Sequence, residues 1–348
     1  MIQEDILEPP LSPLPFRRFP RWTRILLSGA GLLLLVFLIL KVGVAMLLEY
    51  LVRFGPWFLV IVGLGFAWLF LQAWAWHIIQ ASHFRRVSLG RLFRAKIISD
   101  SLNTLLPAAN VGGDAARPFL IRRQVPLKEG IAGVLVDKTV EAFAAALFLV
   151  TGFLLSLLLL RLPGWMNTAA AICLAATVAG ITLFILFQLK GFLWTLDRVS
   201  KVFPRVRGLI AKRERSIREL DANLRMVYES LDSRTVVAAA LHYAGRLLGV
   251  VEVYVILRVL GADFSALQAL FASTGVTIIN TAFFIVPGQF GVLESAHVLV
   301  LQSLGFSAAL GLSLGVIRRI RKMATAAVGL ALYAAFTSSE PKPDVKRT

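Results

Sequence analysis

The sequence predicts an all-α polytopic membrane protein of about six full spans plus two re-entrant half-helix hairpins in an inverted-repeat arrangement. Three observations predict it. The 348 residues are 57% hydrophobic and only 16% charged, with mean hydropathy +0.76, against roughly 25% charged residues in a soluble globular domain. Apolar runs recur at the length of about 20 residues that a helix needs to cross a bilayer. Two further stretches are apolar but broken by proline and glycine, the mark of chain that enters a membrane without crossing it.

Four runs are clean spans: residues 22–40, 56–79, 131–160 and 165–189. Two more, 235–257 and 306–336, span with charges inside them, and such charges are costly enough to need an explanation. The beginning of the chain is acidic and proline-containing, and its first apolar stretch has no small-residue cleavage pattern, so it is expected to be retained as a span. Residues 1–21 then form a cytoplasmic segment, 22–336 a single transmembrane domain and 337–348 a tail.

Orientation follows from Lys and Arg, which cytoplasmic loops hold in excess. Arg17, Arg18, Arg21 and Arg24 precede the first span, Arg85 to Lys96 follow the second, Arg117 to Lys128 precede the third, and a long basic loop follows the fourth. Lys41, Arg53, Arg161 and Arg258 fall on the other side. Both termini are therefore expected in the cytoplasm, in the plasma (inner) membrane. The net charge of +17 is read as topology, and no nucleic-acid partner is expected. Near 205–232 the basic loop carries Ile217, Leu220, Leu224, Val227 and Leu231 at helical spacing, an amphipathic surface helix on the cytoplasmic interface or a short partner-binding coil.

The stretches near 89–124 and 264–304 are the expected hairpins, the first entering from the cytoplasm and the second from outside. The first break holds Asn103, Pro107, Asn110, Gly112, Gly113, Asp114 and Arg117; the second holds Asn280, Pro287, Gly288, Gly291 and Glu294. Proline ends helical hydrogen bonding and glycine permits positive φ, so freed backbone groups must face protein or a water-filled cavity. In both breaks an acid lies seven residues after the proline. Opposite sides of insertion and matched acids fit an inverted-topology repeat; two unrelated kinks are the alternative.

Charges within spans carry the chemistry. Asp137 and Glu141 share a face beside Lys138, and Asp137 lies deep enough to need a partner. His242 and Arg246 share a face of the fifth span, with Glu252 rotated well away. Arg318, Arg319, Arg321 and Lys322 fall near the middle of the sixth, with Arg318, Arg321 and Lys322 on one side. An electropositive cavity is expected there, with Asp137, Glu141 or Glu294 as counter-ions; the alternative is a span that breaks at Arg318. Cys173 is the one cysteine, and His77, His83, His242 and His297 have no close ligand spacing, so neither a metal nor a cofactor is expected.

At these residues the sequence resembles the flippase-like transmembrane family typified by the membrane half of lysylphosphatidylglycerol synthases. The pieces that carry the resemblance are Asn103 to Arg117, the Asp137–Lys138–Glu141 patch and Pro287 to Glu294. It implies translocation of a lipid with a polar headgroup through a cavity lined by two hairpins. The large cytosolic aminoacyl-transfer domain of those synthases has no counterpart here, so lysyl transfer is not expected, and neither is any other enzyme activity. The partner expected is a membrane lipid with an anionic headgroup, held by Arg117, Arg246, Arg318 and Arg321; lipid-synthesis proteins are further candidates. Two other readings stand beside this one: an intramembrane lipid-modifying enzyme using Asp137, Glu141 or Glu294 as acid or base, and an accessory subunit of a lipid-synthesis complex.

Overall fold

The computed structural model describes residues 52, 54–105, 112–190, 232–283 and 292–338. The expected first span, the amphipathic segment of the basic loop, and Pro107, Asn110, Pro287, Gly288 and Gly291 lie outside the described residues. Among those described there are nine α-helices and no strand, as an all-α polytopic membrane protein requires. They are α1 (Pro56–His83), α2 (Leu89–Leu105), α3 (Gly112–Ile121), α4 (Leu127–Leu159), α5 (Gly164–Lys190), α6 (Ser233–Val259), α7 (Ala266–Ala282), α8 (Val292–Ser303) and α9 (Ala308–Ser338).

By length and apolarity α1, α4, α6 and the first 20 residues of α5 can each cross a membrane. Large apolar side chains such as Leu158, Leu159, Trp165, Ile172 and Leu183 point away from the bundle, which suits a lipid solvent rather than water. The 31 residues of α9 run unbroken through Arg318, Arg319, Arg321 and Lys322, a helix of about 46 Å at 1.5 Å per residue. A break at Arg318, the alternative left open by the sequence, does not occur.

Local chemistry sets the ends. Pro56 opens α1 just after Gly55, whose φ of 48° is left-handed, and proline's missing N–H costs nothing at a first helical position. Asp232 caps α6 by accepting the Thr235 backbone N–H at 2.9 Å. Ser265 and Gln268 close a reciprocal capping box on α7, satisfying two N–H groups that a helix start leaves unpaired.

The central pair is α1 against α6. Ile61 near the start of α1 shares a core cluster with Val253, Ile256 and Leu257 near the end of α6. His77, Ile78 and Ser82 near the end of α1 border the same recess as Ser233 and Val237 at the start of α6. The two helices therefore run antiparallel. They touch midway, where a Cβ on Gly245 would lie 2.7 Å from the Trp68 ring.

The helices repeat. A shift of 177 carries Pro56 onto Ser233 and Leu89–Leu105 onto Ala266–Ala282, and a shift of 180 carries Gly112 onto Val292. Packing repeats with them: α2 lies on α9 as α7 lies on α4, α3 packs on α4 as α8 does on α9, and α1 meets α9 as α6 meets α4. Even the closest crossings correspond, Gly152 against Thr274 and Gly329 against Ile97 and Ser101, since the same shift of 177 relates Gly152 to Gly329 and Ile97 to Thr274. Each half is thus a long helix, a two-armed hairpin and a second long helix.

Candidate functional site

Two charged networks hold the hairpin arms to the long helices. In the first, Arg117 of α3 and Asp137 of α4 are both fully buried, and Arg117 Nη2 donates to Asp137 Oδ2 at 2.6 Å. The guanidinium also lies 4.0 Å from the centre of the Trp76 ring, a geometry in which the ring face attracts the cation. His242 Nε2 is 3.0 Å from the second Asp137 oxygen; a carboxylate can only accept, so Nε2 carries the hydrogen.

Asp114 extends this network across three helices. It accepts from Ser99 Oγ at 3.3 Å and Asn103 Nδ2 at 3.4 Å on α2, and pairs with Lys138 of α4 at 2.7 Å and Arg117 at 3.5 Å. Asn103 also takes the Gly113 N–H on its Oδ1 at 2.7 Å. Gly113 is required here, because a Cβ would sit 1.9 Å from the Ser99 carbonyl oxygen. Lys138 continues to Glu141 at 2.8 Å, which accepts from Gln72 of α1 at 3.5 Å.

The second network joins α6, α8 and α9. Glu252 lies between Arg321 at 2.8 Å and Arg318 at 3.5 Å. Glu294 and Arg319 form a two-pronged pair, Nε to Oε1 and Nη2 to Oε2, the latter at 3.0 Å. His297 donates from Nδ1 to the Leu293 carbonyl at 2.7 Å, leaving Nε2 to accept from Arg318 at 3.2 Å. Gly65 of α1 makes room for Arg321; a Cβ would lie 2.8 Å from that side chain.

Between the networks is a cavity of about 420 Å³ enclosed by α1, α4, α6, α7 and α9. Its charged lining is Arg246, Arg318, Arg321 and Lys322 against Glu141 and Glu252, four cations to two acids. The acids are already engaged, Glu252 by Arg318 and Arg321 and Glu141 by Lys138. Among the described residues, no hydrogen bond or ion pair within 4 Å reaches the side chain of Arg246 or Lys322, and the acids that act on them, Glu141 and Asp100, do so only from farther away. The α7 wall supplies Ser273, Thr277, Asn280 and Thr281, spaced to share one helix face. Such a cavity can bind a phosphate or another small anion.

The structure gathers Asn103, Gly113, Asp114, Arg117, Asp137, Lys138 and Glu141 at the first network, with Gly112 opening α3 beside it and Glu141 also reaching the cavity. Arg246, Asn280, Arg318 and Arg321 meet at the cavity, whereas Glu294 lies with Arg319 outside its lining. Arg117 is paired and sealed beside Trp76, apart from the cavity. Of the counter-ions expected for this cluster, Glu294 pairs with Arg319, whereas Arg318 and Arg321 are met by Glu252 instead of Asp137 or Glu141: α9 packs against α6 and reaches the face on which Glu252 projects. The signal was present, since an acid inside an apolar span needs a cation. The polar face of α7 was missed, although Ser273, Thr277 and Thr281 fall at every fourth position of an apolar arm.

Residues 21–329 match the family described as the lysylphosphatidylglycerol synthase TM region. A UPF0104 membrane protein of Methanothermobacter thermautotrophicus is 22% identical over 327 residues, covering 89% of this chain and 94% of that protein. No solved structure matches the chain. The chain belongs to the lysylphosphatidylglycerol synthase transmembrane family.

Proposed function

We propose that this family member is a lipid translocase, which moves a lipid with a phosphate-bearing polar headgroup between leaflets and forms no covalent product. The observation that carries the reading is the cationic cavity between two matching halves, with Arg246 and Lys322 unpaired among the described residues while both acids are engaged. A phosphate would supply the missing counter-charge, and about 420 Å³ suits a headgroup whose acyl chains stay in the bilayer.

The antiparallel α1 and α6 and the shift of 177 between α2 and α7 support an inverted-topology repeat, the architecture in which one half rocks against the other around a central site. The hairpins α2–α3 and α7–α8 enter from opposite sides and gate access, within six spans with both termini cytoplasmic in the plasma (inner) membrane. The headgroup enters from one leaflet, exchanges water for Arg246, Lys322 and the α7 hydroxyls, and leaves to the other when the halves reverse.

The test is reconstitution of the full chain in vesicles with labelled phospholipids and polyprenyl phosphates whose leaflet is read by a membrane-impermeant quencher. The expected result is movement of anionic lipids above the rate of empty vesicles, with their mass unchanged. Rates equal to empty vesicles across that panel, or a new lipid mass, would overturn the reading.

A further inference from the structure

Within the translocase reading, on which this inference rests, we infer that the cargo headgroup is a phosphodiester bearing free hydroxyls, such as a phosphopolyol or phosphosugar, rather than a bare phosphate or an aminoacylated phospholipid. The cavity separates two chemistries. One wall is cationic, Arg246 from α6 and Arg318, Arg321 and Lys322 from α9. The polar stripe of α7 lines the same cavity.

The hydrogen-bonding capacity of that stripe is specific. Thr277 donates its hydroxyl hydrogen to the Ser273 carbonyl at 2.7 Å, and Thr281 donates to the Thr277 carbonyl at 2.8 Å. With their hydrogens committed, both oxygens offer lone pairs to the cavity they line. Ser273 is 8% exposed and its Oγ has no partner among the described residues. A buried hydroxyl left unmatched is costly, so the occupant must bring donors as well as acceptors. A bare phosphate brings almost only acceptors. Hydroxyls of a polyol bring both.

Ammonium groups also donate, but the charges disfavour them. Glu252 is held between Arg318 and Arg321 and Glu141 by Lys138, whereas Arg246 and Lys322 are the cations without an ion pair among the described residues. A lysylated headgroup would set its ammonium groups beside those cations, and like charges at close range repel.

Native mass spectrometry of the full chain in phosphatidylcholine nanodiscs tests this, with phosphatidylglycerol, phosphatidic acid and lysylphosphatidylglycerol of one acyl composition as probes. Phosphatidylglycerol is expected to bind about tenfold more tightly than either, the scale of one or two hydrogen bonds made or lost. Ser273→Ala with Thr277→Val should bring phosphatidylglycerol down to the level of phosphatidic acid and leave phosphatidic acid unchanged, which also reports that the protein is folded. Ser273→Ala alone, a gentler change, should lower the ratio by a smaller factor. Equal or tighter binding of phosphatidic acid or lysylphosphatidylglycerol, or a ratio untouched by both variants, would overturn the inference. So would equal competition by soluble glycerophosphoglycerol, which would remove the lipid from the assignment. Selective binding without movement between leaflets would leave the headgroup assignment standing and sink the translocase reading; movement of all lipids at one rate without selective binding would do the reverse.

Discussion

Corresponding positions on α2 and α7 differ in charge around one shared asparagine. Lys96, Asp100 and Asn103 of α2 correspond by the shift of 177 to Ser273, Thr277 and Asn280 of α7. In the first half Asn103 is committed to Gly113 and Asp114, and Asp114 ties α2, α3 and α4 into one charged knot. In the second half the matching arm presents hydroxyls to open space. The corresponding arms carry charge where they are tied to neighbouring helices and hydroxyls where they line the cavity. Charge fixes geometry because any departure strands a buried ion; hydroxyls can exchange partners with a passing ligand at little cost.

The largest test of this contrast is Asp137→Ala, which leaves the buried Arg117 with only the longer contact to Asp114 at 3.5 Å. It should cost about 3–5 kcal/mol, read as a large drop in thermal unfolding temperature in detergent. Glu252→Ala in the second half strands Arg321 as well as Arg318, but should cost less, because both of those cations line the cavity, where water can reach them, whereas Arg117 is 0% exposed. Equal losses would break the distinction between a locked and a working half.

Next in size, Gly113→Ala should cost about 1–3 kcal/mol, since its Cβ would meet the Ser99 carbonyl oxygen at 1.9 Å and the arms of the first hairpin would have to separate. Gly90→Ala, with nothing within 4 Å of the new Cβ, should be neutral or stabilise by about 0.5–1 kcal/mol. The same thermal scan reads both.

The smallest effect lies at the start of α6. Asp232→Ala should remove about 1 kcal/mol of helix capping. The Thr235 backbone N–H holds the Asp232 carboxyl below its ordinary value of 3.8. Its contribution is therefore full above that value and is lost as pH falls through the lower folded one, so wild type and variant should converge in acid and differ at neutral pH.

Much of the fold was legible because membrane helices announce themselves by length. The run 56–79 became Pro56–His83 and 235–257 became Ser233–Val259. The third span starts earlier than its apolar run, at Leu127, because Lys128 and Glu129 are good helix formers that hydropathy discounts. The paired breaks showed only as a loose motif match, whereas helix positions and packing correspond between the two halves. Partner choice was the least legible part. Glu252 faces Arg318 and Arg321 only because α9 crosses α6, a tertiary fact that spacing along one helix cannot supply. The α7 stripe was visible in sequence but looked like ordinary threonines back-bonding within a helix.

A headgroup that passes through the cavity between the two halves must meet the cavity's cations. Leaflet-resolved phosphatidylglycerol movement in vesicles holding the Arg246→Gln, Lys322→Gln double variant tests it most directly, because neither cation has an ion pair to lose among the described residues. The expected rate is at least about tenfold below wild type, as for one lost charged contact of ~1.4 kcal/mol or more, with thermal stability nearly unchanged. A wild-type rate from that stable variant would contradict it.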